Sequence, residues 1–243
     1  MGLIRSYRLR LQRKRWRIRA FRKRRELKQV VDQTRLIGPD DILLYCTQRN
    51  EKVRLPYFLD YYRKMGVGHF FFVDNGSADG SLEYLAEQPD VSVWTTRASY
   101  RRSRFGADWL NWLQMKHAHG HWTLTVDPDE FLVYPFCDTR PLRALTDWLD
   151  ASSIKSFSAM LLVFFKDAPE KAPALNKVPL VKWDRRYCYV SSTHMLLPRG
   201  LNQVYDEWGG EKASGVLLHA KFLDTFGSKA EEELERGQHY AAS

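Results

Sequence analysis

The sequence predicts an α/β fold built on a mixed, mostly parallel sheet that is flanked by helices. Three observations support this prediction. Short apolar runs rich in β-branched and aromatic residues alternate with segments of helical character between residues 41 and 135. Hydrophobic residues make up 44% of the chain and aromatic residues 14%, which is enough for a packed core. A strongly basic segment precedes the alternation and predicts an N-terminal helix or arm.

The composition argues against several classes of protein. The longest nearly apolar run, residues 159–165, is far shorter than the roughly 20 residues of a membrane-spanning helix. The N-terminus lacks the apolar stretch of a secretory signal. The 3 cysteines are widely spaced and form no Cys-x-x-Cys pair, so neither a disulfide framework nor a zinc site is indicated. We therefore expect a cytoplasmic location.

The basic segment concentrates the positive charge of the chain. Residues 1–28 contain 13 of the 38 Lys and Arg residues and a single acid, Glu26. Its apolar residues near one helical stripe are Leu3, Ile4, Tyr7, Leu11, Ile18 and Phe21. A basic helix with such a stripe is typical of segments that lie on an anionic membrane surface. Nucleic-acid binding and a solvated, disordered arm remain alternatives, so residues 1–38 are predicted as a basic amphipathic or disordered segment before a domain at 39–243.

The regular elements begin after a polar hinge at residues 37–41. Apolar runs predict four strands, at residues 42–47, 67–73, 91–95 and 122–126. Helical patterns between them predict three helices, at residues 55–65, 79–88 and 106–117. The second half predicts a helix at 141–149, a strand at 156–165, a loop at 166–179, strand-like runs at 190–198 and 215–222, and an acidic helix at 228–236.

Polar side chains follow each of the four strands. In parallel sheets flanked by helices, ligands bind beyond the carboxyl ends of the strands, so these residues are expected to meet at one edge. Asp127 and Asp129 point the same way in an extended segment, and two like charges repel unless a cation or hydrogen-bond donors lie between them. Mg²⁺ or Mn²⁺ shared with a diphosphate fits this chemistry, whereas a solvated acidic turn is the alternative.

Three motifs in this half of the chain resemble glycosyltransferase family 2 and its GT-A fold in order and spacing. They are TQRNE at 47–51, FFFVDNGSADGS at 70–81 and VDPDEF at 126–131. The resemblance covers residues 41–135, which would form the nucleotide-sugar half, and leaves 136–243 as a possibly truncated acceptor half. Together with Tyr61-Tyr62-Arg63 and Gly66, the motifs look most like the subgroup that acts on bacterial envelope polysaccharides.

The resemblance implies a nucleotide-linked sugar donor, most commonly a UDP-sugar, and a Mn²⁺ or Mg²⁺ ion. It implies metal ligands at Asp127, Asp129 and His219, with Asp127 alternatively on the ribose; His219 is preferred over His194, although a core histidine is the alternative. The expected donor-binding residues are Thr47, Asn50, Glu51, Asp74, Asn75, Ser77, Arg97, Arg104 and Asp127. Glu51 as a helix cap, Asp74 as a turn organiser and Glu130 as a structural acid remain open. Asn75 departs from the family, which usually carries a second Asp there.

Inverting sugar transfer needs a general base for the acceptor hydroxyl. The candidates are Asp206 and Glu207, in the segment VYDEWGGE, and Asp184; a surface loop is the alternative for that segment. The expected catalytic set is Asp129, Asp206 and Glu207. We expect a peripheral transferase at the cytosolic face of a membrane, acting on a saccharide or lipid-linked acceptor, with nucleic acid not expected as a partner. The alternative is a non-catalytic α/β protein that binds nucleic acid or anionic lipid through its basic segment.

Overall fold

The computed structural model describes residues 3–164, 175–184 and 215–220. The strands are β1 (Lys28–Val31), β2 (Ile42–Gln48), β3 (Val67–Asp74), β4 (Val91–Thr95), β5 (Trp122–Thr125), β6 (Glu130–Val133), β7 (Ser156–Phe164), β8 (Leu175–Lys182) and β9 (Gly215–Ala220). The α-helices are α1 (Leu3–Lys23), α2 (Leu55–Met65), α3 (Ser81–Ala86), α4 (Ala107–His117) and α5 (Leu142–Ala151).

The strands form one mixed sheet in the order β1-β4-β3-β2-β5-β8-β7-β9-β6. Four adjacent strands, β4, β3, β2 and β5, run parallel, and the pairs β1–β4, β5–β8, β7–β8 and β6–β9 are antiparallel. The α/β class predicted from the sequence, with a mixed sheet and flanking helices, is confirmed. Because the four parallel strands share one direction, their carboxyl ends lie at the same edge of the sheet.

The centre of the sheet is buried on both faces. All seven residues of β2 are buried, as expected for a parallel strand covered by helices on each side. Leu44 packs in one apolar cluster with residues of α2, and Leu43 packs in the other with residues of α4. Burying both faces of β2 fixes its register, and with it the position of the polar residues that follow.

The N-terminal helix is confirmed, and it lies on the domain. Ala20 of α1 is fully buried, and Phe21 packs edge-on against Trp112 of α4 with ring centroids 5.6 Å apart. Residues 28–31, which the sequence assigns to the basic segment, form β1 and pair with β4, Lys28 opposite Thr95. No helix among the described residues is long and apolar enough to cross a membrane.

The loop predicted at residues 166–179 is wrong at its end, because β8 begins at Leu175 and runs through Pro179. The proline is accommodated by a shift of register: Phe157 pairs with Leu180, whereas Ala159 pairs with Lys177. A proline has no N–H to donate, and an irregular ladder is where a strand tolerates one. The run at 190–198 and the helix at 228–236 lie outside the described residues, as do residues 221 and 222 of the last strand-like run.

Candidate active site

Four segments meet where β2, β3, β4 and β5 end, and we refer to them together as the rim. They are residues 47–54, 74–81, 96–106 and 126–131. Backbone hydrogen bonds join neighbouring segments: Asn75 N donates to Gln48 O at 2.9 Å, and Thr96 N donates to Asp74 O at 2.9 Å. The sequence expectation that polar groups after these strands share one edge is therefore matched by the geometry.

Asp74 organises the turn that follows β3. Its carboxylate is fully buried and accepts from Gln48 Nε2 at 2.6 Å, from Gly76 N at 3.0 Å and from Ser77 N at 3.1 Å. The Ser77 hydroxyl also donates to it. Gly76 has a φ of 72°, a conformation that glycine adopts without strain. Of the two roles that the sequence left open for Asp74, these contacts favour the turn.

Asn75, Ser77 and Asn50 connect the segments of the rim to one another. The Asn75 amide donates to Thr96 O at 3.2 Å and to Ala98 O at 3.0 Å. Asn50 N donates to Ser77 Oγ at 2.9 Å, while Asn50 Oδ1 accepts from Ala78 N at 2.8 Å. These residues hold the rim in shape, and any part in donor binding comes in addition to that role.

Thr47 differs from these residues because its hydroxyl is buried without a hydrogen-bond partner. The side chain is 6% exposed at the end of β2 and lies under the start of α4. Gly106 is placed so closely that a Cβ there would lie 2.6 Å from Thr47 Oγ1. A buried hydroxyl without a partner costs about 1–3 kcal/mol, so this atom is suited to meet a polar group of a ligand.

Four carboxylates surround the end of β2. Burial raises the pKa of the Cys46 thiol well above its usual range, and the nearby charges of Asp127, Glu51, Glu130 and Asp129 raise it further. Burial also raises the pKa of Tyr100, with Asp127 and Asp129 among the nearby charges. Negative charge is thus concentrated at the end of β2, against the buried core.

Lys177 supplies part of the balancing charge. Its ammonium group pairs with the fully buried Glu130 and lies 3.8 Å from Asp127 Oδ2. Glu130 also accepts from Asp127 N at 2.9 Å, so it holds the turn after β5. The structural role that the sequence left open for Glu130 accounts for these contacts. Lys177 belongs to β8, which reaches this position only through long-range pairing with β5 and β7.

Arg54 is the second balancing charge. Its guanidinium donates to Glu51 Oε2 at 2.6 Å, and its side chain is 9% exposed. Arg54 also contributes to lowering the pKa of Asp129. The sequence signal for the pair was the spacing of three residues between Glu51 and Arg54 just before α2, although that spacing is common on helix surfaces.

Asp129 and His219 face each other across β6 and β9, whose register pairs Glu130 with His219. His219 Nε2 donates to Asp129 Oδ2 at 3.0 Å. Burial raises the pKa of Asp129, but the hydrogen bond from His219 and the charge of that ring outweigh burial and leave the pKa below its usual value. Asp129 is therefore an anion at neutral pH, with its side chain 20% exposed.

The residues present fit a divalent cation that is shared with phosphate groups. Within the described part of the chain, no cluster of three or more His, Cys, Asp and Glu residues is arranged to hold a metal ion by itself. Mg²⁺ and Mn²⁺ at nucleotide sites take only one or two protein ligands, and phosphate oxygens and water supply the rest. Asp129 and His219 are two such donors, side by side at the rim.

The two candidate arginines after β4 differ in what they contact. Arg104 donates to Asp108 Oδ1 from Nε at 2.8 Å and from Nη2 at 2.6 Å, and it stacks over Trp16. Its charge is therefore already neutralised within the fold. Arg97 is exposed beside the Gly76 turn and makes no hydrogen bond or ion pair with any described residue. Arg97 is the better placed of the two for an anion.

The candidate general bases differ in whether the structure describes them. Asp206 and Glu207 fall outside the described residues, as does His194. Asp184 is described, and the prediction that it is a candidate general base is wrong. It follows β8, whose end pairs with the start of β5, Lys182 opposite Trp122. Because β8 runs antiparallel to β5, Asp184 lies at the sheet edge opposite the rim.

Comparisons with known proteins give little beyond these observations. No protein-family model matches the sequence. No curated protein sequence matches it either. Among solved structures, the chain is similar to a mannosyltransferase from Pyrobaculum calidifontis in complex with GDP-Man and Mn²⁺, at 18% identity and a TM-score of 0.37. The similarity covers 63% of this chain and 43% of the mannosyltransferase. At this distance, the likeness concerns the fold alone.

Proposed function

We propose that this chain is a glycosyltransferase that binds the diphosphate of a nucleotide-linked sugar at the rim. The observation that carries the proposal is the excess of negative charge at the end of β2. Four carboxylates gather there; Lys177 pairs with Glu130 and Arg54 pairs with Glu51, while the side chains of Asp127 and Asp129 stay partly exposed. Such a site favours a divalent cation, and a cation bound there attracts a diphosphate.

The remaining rim groups suit the rest of such a donor. Thr47 offers a buried, unpaired hydroxyl to a ribose or base, and Arg97 offers an exposed guanidinium to phosphate oxygens. Asp74, Asn75 and Ser77 hold the turn after β3 in shape, next to Arg97. The order and spacing of the three motifs, which resemble glycosyltransferase family 2, support the same assignment.

The reaction proposed is a single displacement with inversion at the anomeric carbon. A hydroxyl of a saccharide or lipid-linked acceptor attacks that carbon, and Asp206 or Glu207 is the proposed acceptor of its proton. The nucleoside diphosphate departs with the electrons of the broken bond. A divalent cation, when bound, would neutralise the charge that develops on the leaving diphosphate. Asp129 and His219 are the residues proposed to hold it.

A thermal-shift screen tests the donor assignment. UDP-linked and GDP-linked sugars would be added to the full chain with Mn²⁺ or with a chelator, because a ligand that binds only the folded state raises the melting temperature. We expect at least one donor to raise it in the presence of Mn²⁺. Asp129→Asn should abolish that shift, and Asp147→Asn, which alters an exposed acid of α5, should retain it. If no donor raises the melting temperature in a Mn²⁺-dependent way, the proposal is overturned.

A further inference from the structure

Helix α1 has one face that is fixed to the domain. Ala20 is fully buried, Trp16 lies under the guanidinium of Arg104, and Arg19 Nε donates to Asp108 Oδ2 at 2.7 Å. With about 100° per residue, Ala20 and Trp16 fall on the same side of the helix. These contacts orient α1 on α4, so the direction of its opposite face is also set.

The opposite face carries apolar side chains in solvent. Tyr7, Leu11 and Ile18 are 61%, 39% and 44% exposed, and they lie within about 40° of one another around the helix. Four exposed cations flank this stripe, and none forms an ion pair with a described residue: Arg10, Lys14, Arg15 and Arg22. An apolar stripe bordered by cations is complementary to the interface of an anionic bilayer.

The contacts also show which end of α1 lies near the rim. Trp16 meets Arg104, Arg19 meets Asp108, and Phe21 meets Trp112, so α1 runs in the same direction as α4. Because α4 starts at the rim, the part of α1 before Trp16 continues past the rim. At about 1.5 Å per residue, residues 3–15 add roughly 20 Å on that side.

We propose that the outward face of α1 binds an anionic lipid bilayer and holds the rim next to it. Leu11 and Ile18 insert at the boundary between headgroups and acyl chains, and the flanking cations pair with lipid phosphates. This inference goes beyond the proposed transfer reaction and does not depend on it. It specifies a lipid surface as the partner, and it places the rim where a lipid-linked substrate would be within reach.

The side chains favour lipid over nucleic acid. Proteins that track single strands use aromatic rings to stack on bases, and their cations contact the backbone phosphates. Two of the three side chains in the exposed stripe, Leu11 and Ile18, are aliphatic and offer no stacking surface. Transfer of aliphatic side chains from water into an acyl-chain environment lowers the free energy.

Vesicle flotation with the full chain tests the proposal. We expect the chain to float with phosphatidylcholine vesicles that contain about one third phosphatidylglycerol. It should not float with vesicles of pure phosphatidylcholine. Leu11→Glu with Ile18→Glu should weaken that partitioning by at least about tenfold. The matched control is Leu36→Glu with Trp148→Glu, which adds the same charge at exposed apolar residues outside α1 and should float like the wild type.

A second variant separates binding from folding. If Leu11→Glu with Ile18→Glu lowers the melting temperature, the charge variant Arg10→Gln, Lys14→Gln, Arg15→Gln and Arg22→Gln replaces it. That variant should lose the preference for phosphatidylglycerol and the salt dependence of binding. Equal flotation of the stripe variant and the wild type, or equal binding to neutral vesicles, would overturn the proposal. The proposal would also be overturned if the wild type bound no vesicles and instead bound single-stranded DNA or RNA with an affinity that both variants weaken.

Discussion

Thr47 and Asp74 lie on neighbouring strand ends but differ in how their polar groups are used. Asp74 accepts hydrogen bonds from its own turn and from Gln48, so its removal would damage the fold. Thr47 has a buried hydroxyl with no partner in the protein. The two residues therefore allow a role in stability to be separated from a role in binding.

Replacing Thr47 with valine removes the hydroxyl and nearly preserves the shape of the side chain. Since no hydrogen bond is lost, we expect the free energy of unfolding to stay the same or to rise by up to about 1 kcal/mol. Donor affinity should fall about fivefold, the value of one hydrogen bond of about 1 kcal/mol. Denaturation with urea and calorimetric titration of the donor measure the two effects.

Thr146→Val is the matched control for that substitution. Thr146 is also buried, but its hydroxyl donates to Arg143 O at 3.0 Å on α5. It lines a pocket with His121 and Trp122 at the start of β5, the strand end opposite the rim. It should therefore lower stability by about 1 kcal/mol and leave donor affinity unchanged. Unchanged affinity in Thr47→Val would contradict the binding role of that hydroxyl.

His117 gives the chain a defined sensitivity to acid. Burial against Phe71 and Trp94 and the charge of Lys116 lower the pKa of His117 to about 4. The unfolded chain has a histidine pKa of about 6.5, so between these values the unfolded state binds more protons than the folded state. Stability should therefore fall as the pH decreases from about 6.5 to about 4.

His117→Phe keeps a ring in that position and cannot take up a proton. We expect it to reduce the acid-induced loss of unfolding free energy by about 1–3 kcal/mol across that window. Urea denaturation at several pH values would measure the difference. His69, whose pKa burial also lowers, remains in the variant and leaves part of the effect. An identical pH profile in His117→Phe and the wild type would refute the assignment.

At the scale of secondary-structure elements, Asp108 joins α1 to α4. Its buried carboxylate accepts from Arg104 and Arg19, one on each side. Asp108→Asn removes the charge that both guanidinium groups need, so we expect stability to fall by about 2 kcal/mol. Solvent screening limits the loss, because the Arg19 side chain is 46% exposed.

Limited proteolysis and urea denaturation would measure the effect of Asp108→Asn. We expect cleavage within α1 to become faster, because the charged hydrogen bond from Arg19 to α4 is weakened. Asp147→Asn, which disrupts the exposed pair with Arg143, should change stability by no more than about 0.5 kcal/mol and leave α1 protected. Protection of α1 that is the same in both variants would argue against Asp108 as its anchor.

The elements that could be predicted from sequence are those whose own residues determine burial. The strand at β2 and the helix at α2 follow from an apolar run and from helical spacing that ends at Gly66, whose φ is 95°. β1 and β6 have four residues each, too few to show a periodicity. β8 contains Pro179, a residue that argues against a strand in the sequence, and it forms through long-range pairing with β5 and β7.

The same distinction holds for the site. The rim acids could be predicted because they directly follow a strand in the sequence. The contact between Lys177 and Glu130 could not, because it depends on where β8 lies in the sheet. Nor could the sequence predict that Arg104 pairs with Asp108, since its neighbours in the chain are equally basic.

At the scale of the whole molecule, a basic helix lies next to a cluster of acids. Cations are dense on α1, whose outward face is in solvent, while four carboxylates gather at the end of β2. The basic helix passes alongside the start of α4 and continues beyond it. A surface that attracts anionic lipid would thus lie beside a site that attracts cations, which suits transfer between a soluble nucleotide donor and an acceptor held in a bilayer.

The central claim is that the rim binds a divalent cation together with a nucleoside diphosphate. Electron paramagnetic resonance of Mn²⁺ tests it most directly, because free Mn²⁺ gives a sharp signal that is lost on binding. The protein and the nucleotide (UDP or GDP) each reduce the free Mn²⁺ signal when added alone. Added together, they should reduce it by more than the sum of the two separate reductions, and Asp129→Asn should abolish that excess. A signal that is merely additive in the wild type would contradict the claim.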